Sequence, residues 1–349
     1  MITTLTLPRP DDWHVHLRDD ALLAGVLADT ASHFGRAIVM PNLKPPVATA
    51  AAAAAYRERI VANLPGAADF TPLMTCYLTD RTQADDLIAG ARDGIFTAAK
   101  LYPAGATTNA DAGVTDVARL DDVFAAMAES GLPLLVHGEV VDAAVDVFDR
   151  EAAFIERVLD PLRHRHAALR IVFEHITTAA AVDYVSAADA ARLAATITPH
   201  HLVLNRNAMF DGGIRPHAYC LPVAKREHHR RALVAAACSG DAHFFLGTDS
   251  APHLVTAKES ACGCAGIYNS PTALATYLAV FEAADALPRF EAFACRNGPR
   301  FYGLPVNETR AEFARCASPL VADGRRQTAA GEICIFAPPQ PLHWRVVAS

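Results

Sequence analysis

Two histidines separated by one residue, His14 and His16, end a short apolar segment near the start of the sequence. In an extended strand the side chains alternate between two faces, so both imidazoles would point the same way. Paired imidazoles at a strand end suit the binding of one metal ion, and the alternative is two polar residues that bind nothing. The spacing favours metal ligation.

Other residues of metal-binding type follow later apolar segments. A single histidine such as His137 or His175 in this place is more often a hydrogen-bonded core residue, but two of them downstream of His14 and His16 indicate further ligands. Asp249 is either a turn or cap residue, or a carboxylate that ligates one ion and also moves a proton, because it has two oxygens. The set predicts a metal site at which acid–base chemistry takes place.

Lys100 is unusual for a basic residue of this chain. Only four of the 31 basic residues are lysines, and this one lies in a segment that otherwise looks like a buried strand. One interpretation is a lysine whose ammonium group extends out to solvent. The other is that burial beside cations lowers its pKa, so that the neutral amine reacts with carbon dioxide and the resulting carbamate bridges two metal ions.

The elements that must position these residues alternate between strand and helix. We predict eight strands, at Asp12–Leu17, Ala37–Asn42, Phe70–Leu78, Phe96–Tyr102, Leu132–His137, Arg170–His175, Ala194–Thr198 and Phe244–Thr248. Helical segments are predicted between them, including Ala21–Phe34, Ala48–Leu64, Gln83–Asp93, Leu120–Ser130, Ala179–Val185 and Arg226–Cys238.

This alternation favours an α/β fold, the (β/α)8 TIM barrel, with the metal site at the C-terminal ends of the strands. A doubly wound open sheet is the alternative, but no glycine-rich phosphate loop follows the first strand. Since no linker or low-complexity break divides the sequence, we expect one domain over residues 1–349. Residues 288–349 would form a helical and extended C-terminal extension.

A second group of polar residues lies at or just beyond the strand ends. Arg18, Asn42 and His253 carry hydrogen-bond donors and are not needed as ligands, and arginine can bind a carboxylate through two nitrogens. Together they predict an anionic substrate. The small, polar segment 104–113 follows the Lys100 strand and is either a connector or a mobile lid.

Composition excludes several classes of protein. The 349 residues are 52% hydrophobic and 20% charged with a net charge of −7 and no basic run, which argues against nucleic acid as a partner. Neither a signal peptide nor a segment long enough to span a membrane is visible. Eight cysteines without an export signal indicate reduced thiols in a cytoplasmic protein.

Three tempting clusters are interpreted as structural. Cys262 and Cys264 have no second cysteine pair at zinc-finger spacing, so we expect a reduced loop. The adjacent pairs His200–His201 and His228–His229 should point apart, and the second pair should lie on a solvated helix.

The sequence resembles the dihydroorotases of the amidohydrolase superfamily, specifically the shorter type found in many bacteria. The resemblance covers most of the chain and rests on the segments 14–18 (HVHLR), 40–42 (MPN), 100–103 (KLYP), 173–175 (FEH), 195–199 (ATITP), 205–207 (NRN), 215–217 (RPH), 219–222 (YCLP), 247–253 (GTDSAPH), 262–265 (CGCA) and 297–299 (NGP). It departs at residues 254–256, which are apolar here, and at 267–268, which are variable.

The resemblance implies two Zn2+ ions per subunit, bridged by carbamylated Lys100 (N6-carboxylysine) and hydroxide. His14, His16, Lys100 and Asp249 would hold one ion, and Lys100, His137 and His175 the other. Substrate would contact Arg18, Asn42, His137, His253 and the backbone at Leu221 and Ala265, with Thr107 and Thr108 closing over it.

The implied reaction is the reversible cyclisation of N-carbamoyl-L-aspartate to L-dihydroorotate in pyrimidine synthesis, by a homodimer, with Asp249 as the proton carrier. Two alternatives stay open. A hydantoinase or allantoinase would share the metals and the cyclic-amide chemistry, although Arg18, Asn42 and His253 favour a substrate carboxylate. An inactive barrel acting as a structural partner would be expected to lack ligands, and none is missing here.

Overall fold

The structure is a computed structural model that describes residues 2–66, 68–320 and 324–348. Its strands, in chain order, are β1 Thr4–Pro8, β2 Asp12–Val15, β3 Arg36–Val39, β4 Thr71–Tyr77, β5 Ala98–Leu101, β6 Leu134–Val136, β7 Ile171–Phe173, β8 Leu193–Ile197, β9 Phe244–Leu246, β10 Arg310–Arg315, β11 Arg325–Thr328, β12 Gly331–Cys334 and β13 Trp344–Ala348.

The α-helices are α1 Asp20–His33, α2 Ala50–Ala62, α3 Ala84–Arg92, α4 Asp121–Ser130, α5 Arg150–Phe154, α6 Asp160–Arg165, α7 Ala179–Ser186, α8 Pro199–Val203, α9 Glu227–Ala237, α10 Val255–Lys258, α11 Ala273–Ala283 and α12 Asn297–Tyr302. Short 3₁₀ helices occupy Val117–Leu120, Arg206–Met209, Pro216–Ala218 and Leu287–Arg289. Single π-helical turns at Ile155–Leu159 and Ala292–Arg296 continue directly into α6 and α12.

Strands β2 to β9 form one parallel sheet in sequential order, with helices between successive strands. The sheet closes because a parallel bridge joins Val15 to Ser250. Hydrogen bonds from Asp249 N to His14 O (2.8 Å) and from His16 N to Ser250 O (3.0 Å) continue this seam. The predicted TIM barrel is therefore confirmed, and all eight predicted strands are present.

Seven of the eight barrel strands are shorter than predicted, mainly because the polar residues at their C-terminal ends lie outside the hydrogen-bonded sheet. His14 is the third residue of β2, but His16 lies beyond its end, and Asn42 lies three residues beyond β3. His175 and Asp249 have φ angles of 42° and 45°, a left-handed conformation that no strand contains. Their side chains therefore reach the barrel mouth from loops.

Apolar side chains fill the barrel interior below these loops. A buried cluster contains one or more residues from most of the barrel strands, and Phe301 and Tyr302 of α12 close it from below: Trp13, Ile38, Met40, Ala98, Leu135, Val172, Ala194, Phe245, Phe301 and Tyr302. Trp13 stacks on Tyr302 with ring centroids 4.5 Å apart. This apolar layer, here called the apolar floor, lies directly below the polar residues at the C-terminal ends of the strands.

The C-terminal part of the chain contains short helical turns, α12 and the strands β10 to β13. Strand β10 pairs antiparallel with β1 on one side and with β13 on the other, so the two ends of the chain share a sheet outside the barrel. Strands β11 and β12 form a hairpin. No helix in the described part of the chain is long and apolar enough to cross a membrane.

Candidate active site

Three of the predicted ligands converge at the seam where β2 meets the loop after β9. Asp249 Oδ1 lies 3.2 Å from His14 Nε2 and 3.0 Å from His16 Nε2, and the two imidazole nitrogens are 3.3 Å apart. All three residues are buried. The seam is fixed by Asp12, whose carboxylate accepts hydrogen bonds from the backbone N–H and the hydroxyl of Thr248.

Lys100 lies one layer above the apolar floor, on the same face of β5 as Ala98. Its Nζ is completely buried and contacts a carboxylate oxygen of Glu174, which is equally buried. The ring centroid of Tyr102 lies 4.5 Å from the same nitrogen. The lysine therefore does not extend to solvent.

His137 and His175 complete the polar ring. The ring centroid of His175 is 4.9 Å from that of His137 and 5.0 Å from that of His14. The backbone N–H of His175 donates to Thr196 Oγ1 at 2.7 Å, which holds its left-handed conformation, while Nε2 of His137 lies 2.9 Å from Glu139 Oε2. The Nδ1 atom of His175 is buried without a hydrogen-bond partner among the described residues.

The charges in the pocket favour a cation. Burial lowers the pKa of His14, but the carboxylates of Glu174 and Asp249 outweigh it and raise the value to about 9. Burial lowers the pKa of Lys100 despite the nearby Glu174, which favours a neutral amine. The buried carboxylates thus attract positive charge at His14, while burial makes the neighbouring ammonium group of Lys100 easier to deprotonate.

These residues fit metal ions. His14, His175 and Asp249 offer ligand atoms that all lie within 4.8 Å of one another, and the unpartnered Nδ1 shows that the His175 ring has an unused nitrogen. Imidazole and carboxylate are ligands that zinc accepts.

The predicted anion-binding residues line the same pocket or its wall. Arg18 donates from Nε to the carbonyl of Pro252 (3.0 Å), and its Nη2 lies 3.0 Å from His253 Nε2. Asn42 Oδ1 is 2.9 Å from His16 Nδ1, and Asn42 Nδ2 donates to the carbonyl of Thr108 at 3.0 Å. Asn42 therefore links a predicted metal ligand to the predicted lid.

The segment 104–113 lies against the pocket. Thr108 Oγ1 donates to the carbonyl of Ala265 at 3.3 Å, and Asn109 Nδ2 donates to the carbonyl of Asn42 at 3.0 Å. Most of the predicted site residues line one pocket: His14, His16, Arg18, Asn42, Thr107, Thr108, His137, His175, Leu221, Asp249 and Ala265. Of the predicted set, Lys100 lies beneath the pocket and His253 lies behind Arg18.

Sequence reasoning missed four buried residues that contact the site, namely Asp12, Tyr102, Glu139 and Glu174. Strand alternation would have identified Glu174. On β7 the inward-facing residue is Val172, so residue 174 and not 175 continues the inward face.

The expectation that the adjacent histidines point apart was wrong for both pairs. The rings of His228 and His229 lie on the partly exposed helix α9, as predicted, but their centroids are only 4.0 Å apart. His200 and His201 do not point apart: both are buried in α8 with ring centroids 4.5 Å apart, and with Cys220 they form a second group of potential ligands.

Hydrogen bonding argues against a metal at this second group. Both nitrogens of His201 are used, since Nδ1 lies 2.8 Å from Thr198 Oγ1 and Nε2 lies 3.0 Å from the carbonyl of Pro222. Asn269 Nδ2 donates to His200 Nδ1, so the proton of His200 is on Nε2, which has no hydrogen-bond partner among the described residues.

Comparisons with known proteins agree with this geometry. The model of the amidohydrolase family matches residues 11–307. The chain is 60% identical over 346 residues to the dihydroorotase of Erythrobacter litoralis and 58% identical over 345 residues to that of Rhizobium leguminosarum bv. trifolii, each time covering 99% of this chain and at least 99% of the relative.

Solved structures agree as well. The dihydroorotase of Campylobacter jejuni superposes with a TM-score of 0.89 at 30% identity, covering 99% of this chain and 98% of that chain. The Saccharomyces cerevisiae dihydroorotase, solved with 5-fluoroorotic acid, gives a TM-score of 0.88 at 32% identity with the same coverage. An L-hydantoinase from Arthrobacter aurescens, at 17% identity and a TM-score of 0.79, shares the fold. The chain therefore belongs to the amidohydrolase family, and within it to the dihydroorotases.

Proposed function

We propose that this chain catalyses the reversible cyclisation of N-carbamoyl-L-aspartate to L-dihydroorotate in pyrimidine synthesis, and that the residues predicted from the sequence carry the reaction. One observation supports this most strongly. The buried ring of ligand-type residues and the cationic wall at Arg18 belong to one pocket, so a metal-activated amide and a substrate carboxylate would lie side by side.

Two zinc ions are the proposed cofactors. His14, His16, Lys100 and Asp249 would hold one ion, and Lys100, His137 and His175 the other. Bound there, the ions would lower the pKa of water and polarise the carbonyl of the cyclic amide.

Lys100 would join both ligand sets as a carbamate. Its neutral amine would form a nitrogen–carbon bond with dissolved carbon dioxide and release a proton to solvent. The complete burial of Nζ and the lowered pKa of this lysine support the neutral form. An ammonium group in this place would repel the two ions.

Asp249 would carry the proton. In the hydrolytic direction the oxygen of water bonds to the ring carbonyl carbon, and the bond from that carbon to the ring nitrogen breaks. Asp249 accepts a proton from the attacking water and delivers it to the departing nitrogen. Cyclisation follows the same steps in reverse: the ureido nitrogen bonds to the carboxylate carbon and passes its proton to Asp249. Protonated Asp249 then returns this proton to the departing oxygen, which takes one further proton from solvent and leaves as water.

Arg18, Asn42 and His253 would bind the substrate carboxylate, and His137 and the backbone at Leu221 and Ala265 would contact the ring. The bonds that fix Arg18 to Pro252 and His253 pre-organise its guanidinium group at the pocket wall. Thr107 and Thr108 would close over the bound substrate and exclude water.

The test is the loss of dihydroorotate absorbance on adding zinc-loaded protein, with hydantoin and allantoin as parallel substrates. Rapid ring opening of dihydroorotate alone is expected. Comparable turnover of hydantoin would instead indicate a cyclic amidohydrolase without selection for the carboxylate.

The cellular context is also part of the proposal. We propose a cytoplasmic homodimer in which each chain folds as one domain. Sedimentation velocity would measure the assembly, and a monomer at micromolar concentration would contradict it.

A further inference from the structure

Glu174 is a fully buried carboxylate to which the proposed function gives no role. It directly precedes His175, and its side chain points into the barrel, one layer above Val172. A buried carboxylate is costly unless charged or polar groups surround it. Its two oxygens have different neighbours, and both neighbours are proposed metal ligands.

The first neighbour is His14. Glu174 Oε1 lies 2.9 Å from His14 Nδ1 in an ion-pair contact, and neither atom forms a hydrogen bond of good geometry with any described residue. The other ring nitrogen, Nε2, lies among His16 and Asp249. A proton on Nδ1 that faces Glu174 leaves the lone pair of Nε2 free for a metal, which is how outer carboxylates commonly fix the tautomer of a ligating histidine.

The second neighbour is Lys100, whose Nζ contacts Glu174 Oε2. A carbamate on this nitrogen keeps one N–H and gains two anionic oxygens. Glu174 attracts the N–H and repels the oxygens, so the carbamate has one favoured rotation, with its oxygens directed away from Glu174. On its other side Nζ faces the ring of Tyr102, which accepts no strong hydrogen bond.

We propose that Glu174 is a positioning residue. Its Oε1 atom sets the tautomer of His14, and its Oε2 atom sets the orientation of the carbamate group on Lys100. This inference rests on the proposed function, because it requires that Lys100 be modified and that metal ions bind. It predicts that the carboxylate of Glu174 is needed for metal binding and for carbamylation of Lys100, and that it takes no part in the reaction itself.

Glu174→Gln tests the proposal with almost no change of volume. The amide has one acceptor oxygen, so it can accept from only one of the two N–H groups and presents a donor to the other. We expect zinc affinity, measured by competition with a chelator, to fall about 10- to 100-fold. The carbamate signal in the 13C spectrum of protein incubated with 13C-bicarbonate should weaken in parallel.

Glu151→Gln is the matched control. Glu151 is equally buried, and its carboxylate accepts hydrogen bonds from the backbone and hydroxyl groups of Thr177 and Thr178, neither of which is a proposed ligand. Its substitution should lower the unfolding midpoint but leave zinc affinity within about two-fold of the wild type. This change is well below the loss of affinity expected for Glu174→Gln.

Wild-type zinc affinity and carbamate signal in folded Glu174→Gln would overturn the inference and leave the proposed function intact. A wild-type protein without any carbamate signal would overturn both. If Glu174→Gln does not fold, the 15N spectrum of zinc-loaded wild-type protein decides: a proton on Nδ1 of His14 supports the inference, and a metal-bound Nδ1 overturns it.

Discussion

At the scale of single residues, the side chains of the pocket are held before any substrate arrives. Asp249 occupies a left-handed conformation with φ of 45°, and its carboxylate lies between two imidazoles. A backbone in this region costs free energy and persists only where surrounding contacts enforce it. The position of this carboxylate is thus set by the backbone seam with β2.

Asp249→Asn should nearly abolish turnover with little loss of stability. Asparagine tolerates the left-handed conformation but cannot accept the proton, so we expect turnover to fall by about 10²- to 10⁴-fold. Asp285→Asn is the control, because Asp285 also has a positive φ (52°) but is exposed and remote from the pocket. Near-wild-type turnover in Asp249→Asn would exclude the proton-carrier role.

Arg18→Lys should weaken substrate binding more than it slows the chemical step. Lysine keeps the charge but cannot bond a carboxylate through two nitrogens, and a lost charge-assisted hydrogen bond costs about 1.5–3 kcal/mol. We therefore expect KM to rise by about 10- to 100-fold in steady-state assays. Arg59→Lys, at an exposed ion pair with Asp19, should leave KM unchanged. An unaltered KM in Arg18→Lys would remove this residue from the carboxylate site.

At the scale of elements, side-chain hydrogen bonds hold the loop 104–113 at the pocket. Thr108 Oγ1 donates to the carbonyl of Ala265, Asn42 Nδ2 donates to the carbonyl of Thr108, and Asn109 Nδ2 donates to the carbonyl of Asn42. These bonds are modest, so we expect the loop to open for substrate and close again.

Thr108→Ala should lower kcat/KM without changing global stability. Loss of one neutral hydrogen bond costs about 0.5–1.5 kcal/mol, which corresponds to about a two- to twelve-fold decrease. The unfolding midpoint in urea should stay the same, since the loop adds little to the core. Thr82→Ala, in a turn outside the pocket, provides the comparison. An unchanged kcat/KM would mean that the loop is only a connector.

The order and type of the barrel elements could be predicted from the sequence, but the pairing of the strands outside the barrel could not. Apolar periodicity is local, so it located the ends of every barrel strand, and of helices such as α1, α3 and α4, to within three residues. The pairing of β1 with β10 joins residues about 300 positions apart, and no local pattern encodes it. The π-helical turns were not predicted either, because one inserted residue leaves the helical period of the sequence nearly intact.

The site could be predicted because its residue types are rare in apolar segments. His14 was identified from that contrast and its spacing from His16, and His137 and Asp249 were identified because they follow other apolar segments downstream of this pair. Glu174 was missed because one acidic residue directly after β7 looks like an outward-facing position until the phase of the strand is known. The burial of His200 and His201 likewise depends on how α8 packs, which their spacing does not encode.

At the scale of the whole molecule, metal binding should contribute to folding stability. The proposed ligands come from β2, β5 and the loops after β6, β7 and β9, so an ion bound to them ties distant parts of the barrel together. Ligands that bind only the folded state stabilise it by RT ln(1 + [L]/Kd), about 2.7 kcal/mol at one hundred times Kd.

Removal of metal with a chelator should therefore lower the unfolding temperature, and added zinc should restore it. Lys100→Ala should show lower metal content and a smaller response to zinc, because the bridging group is lost. Calorimetry with parallel metal analysis checks both. Equal midpoints with and without metal, or full occupancy by two zinc ions in Lys100→Ala, would argue against the bridged site.

The most direct test of the account is a crystal structure of the zinc-loaded protein with dihydroorotate, recorded with anomalous scattering at the zinc edge. We expect two zinc peaks, one beside His14, His16 and Asp249 and the other beside His137 and His175, with a carbamate on Lys100 between them. The substrate carboxylate should contact Arg18. A single ion, an unmodified Lys100 or a carboxylate bound elsewhere would contradict the central claim.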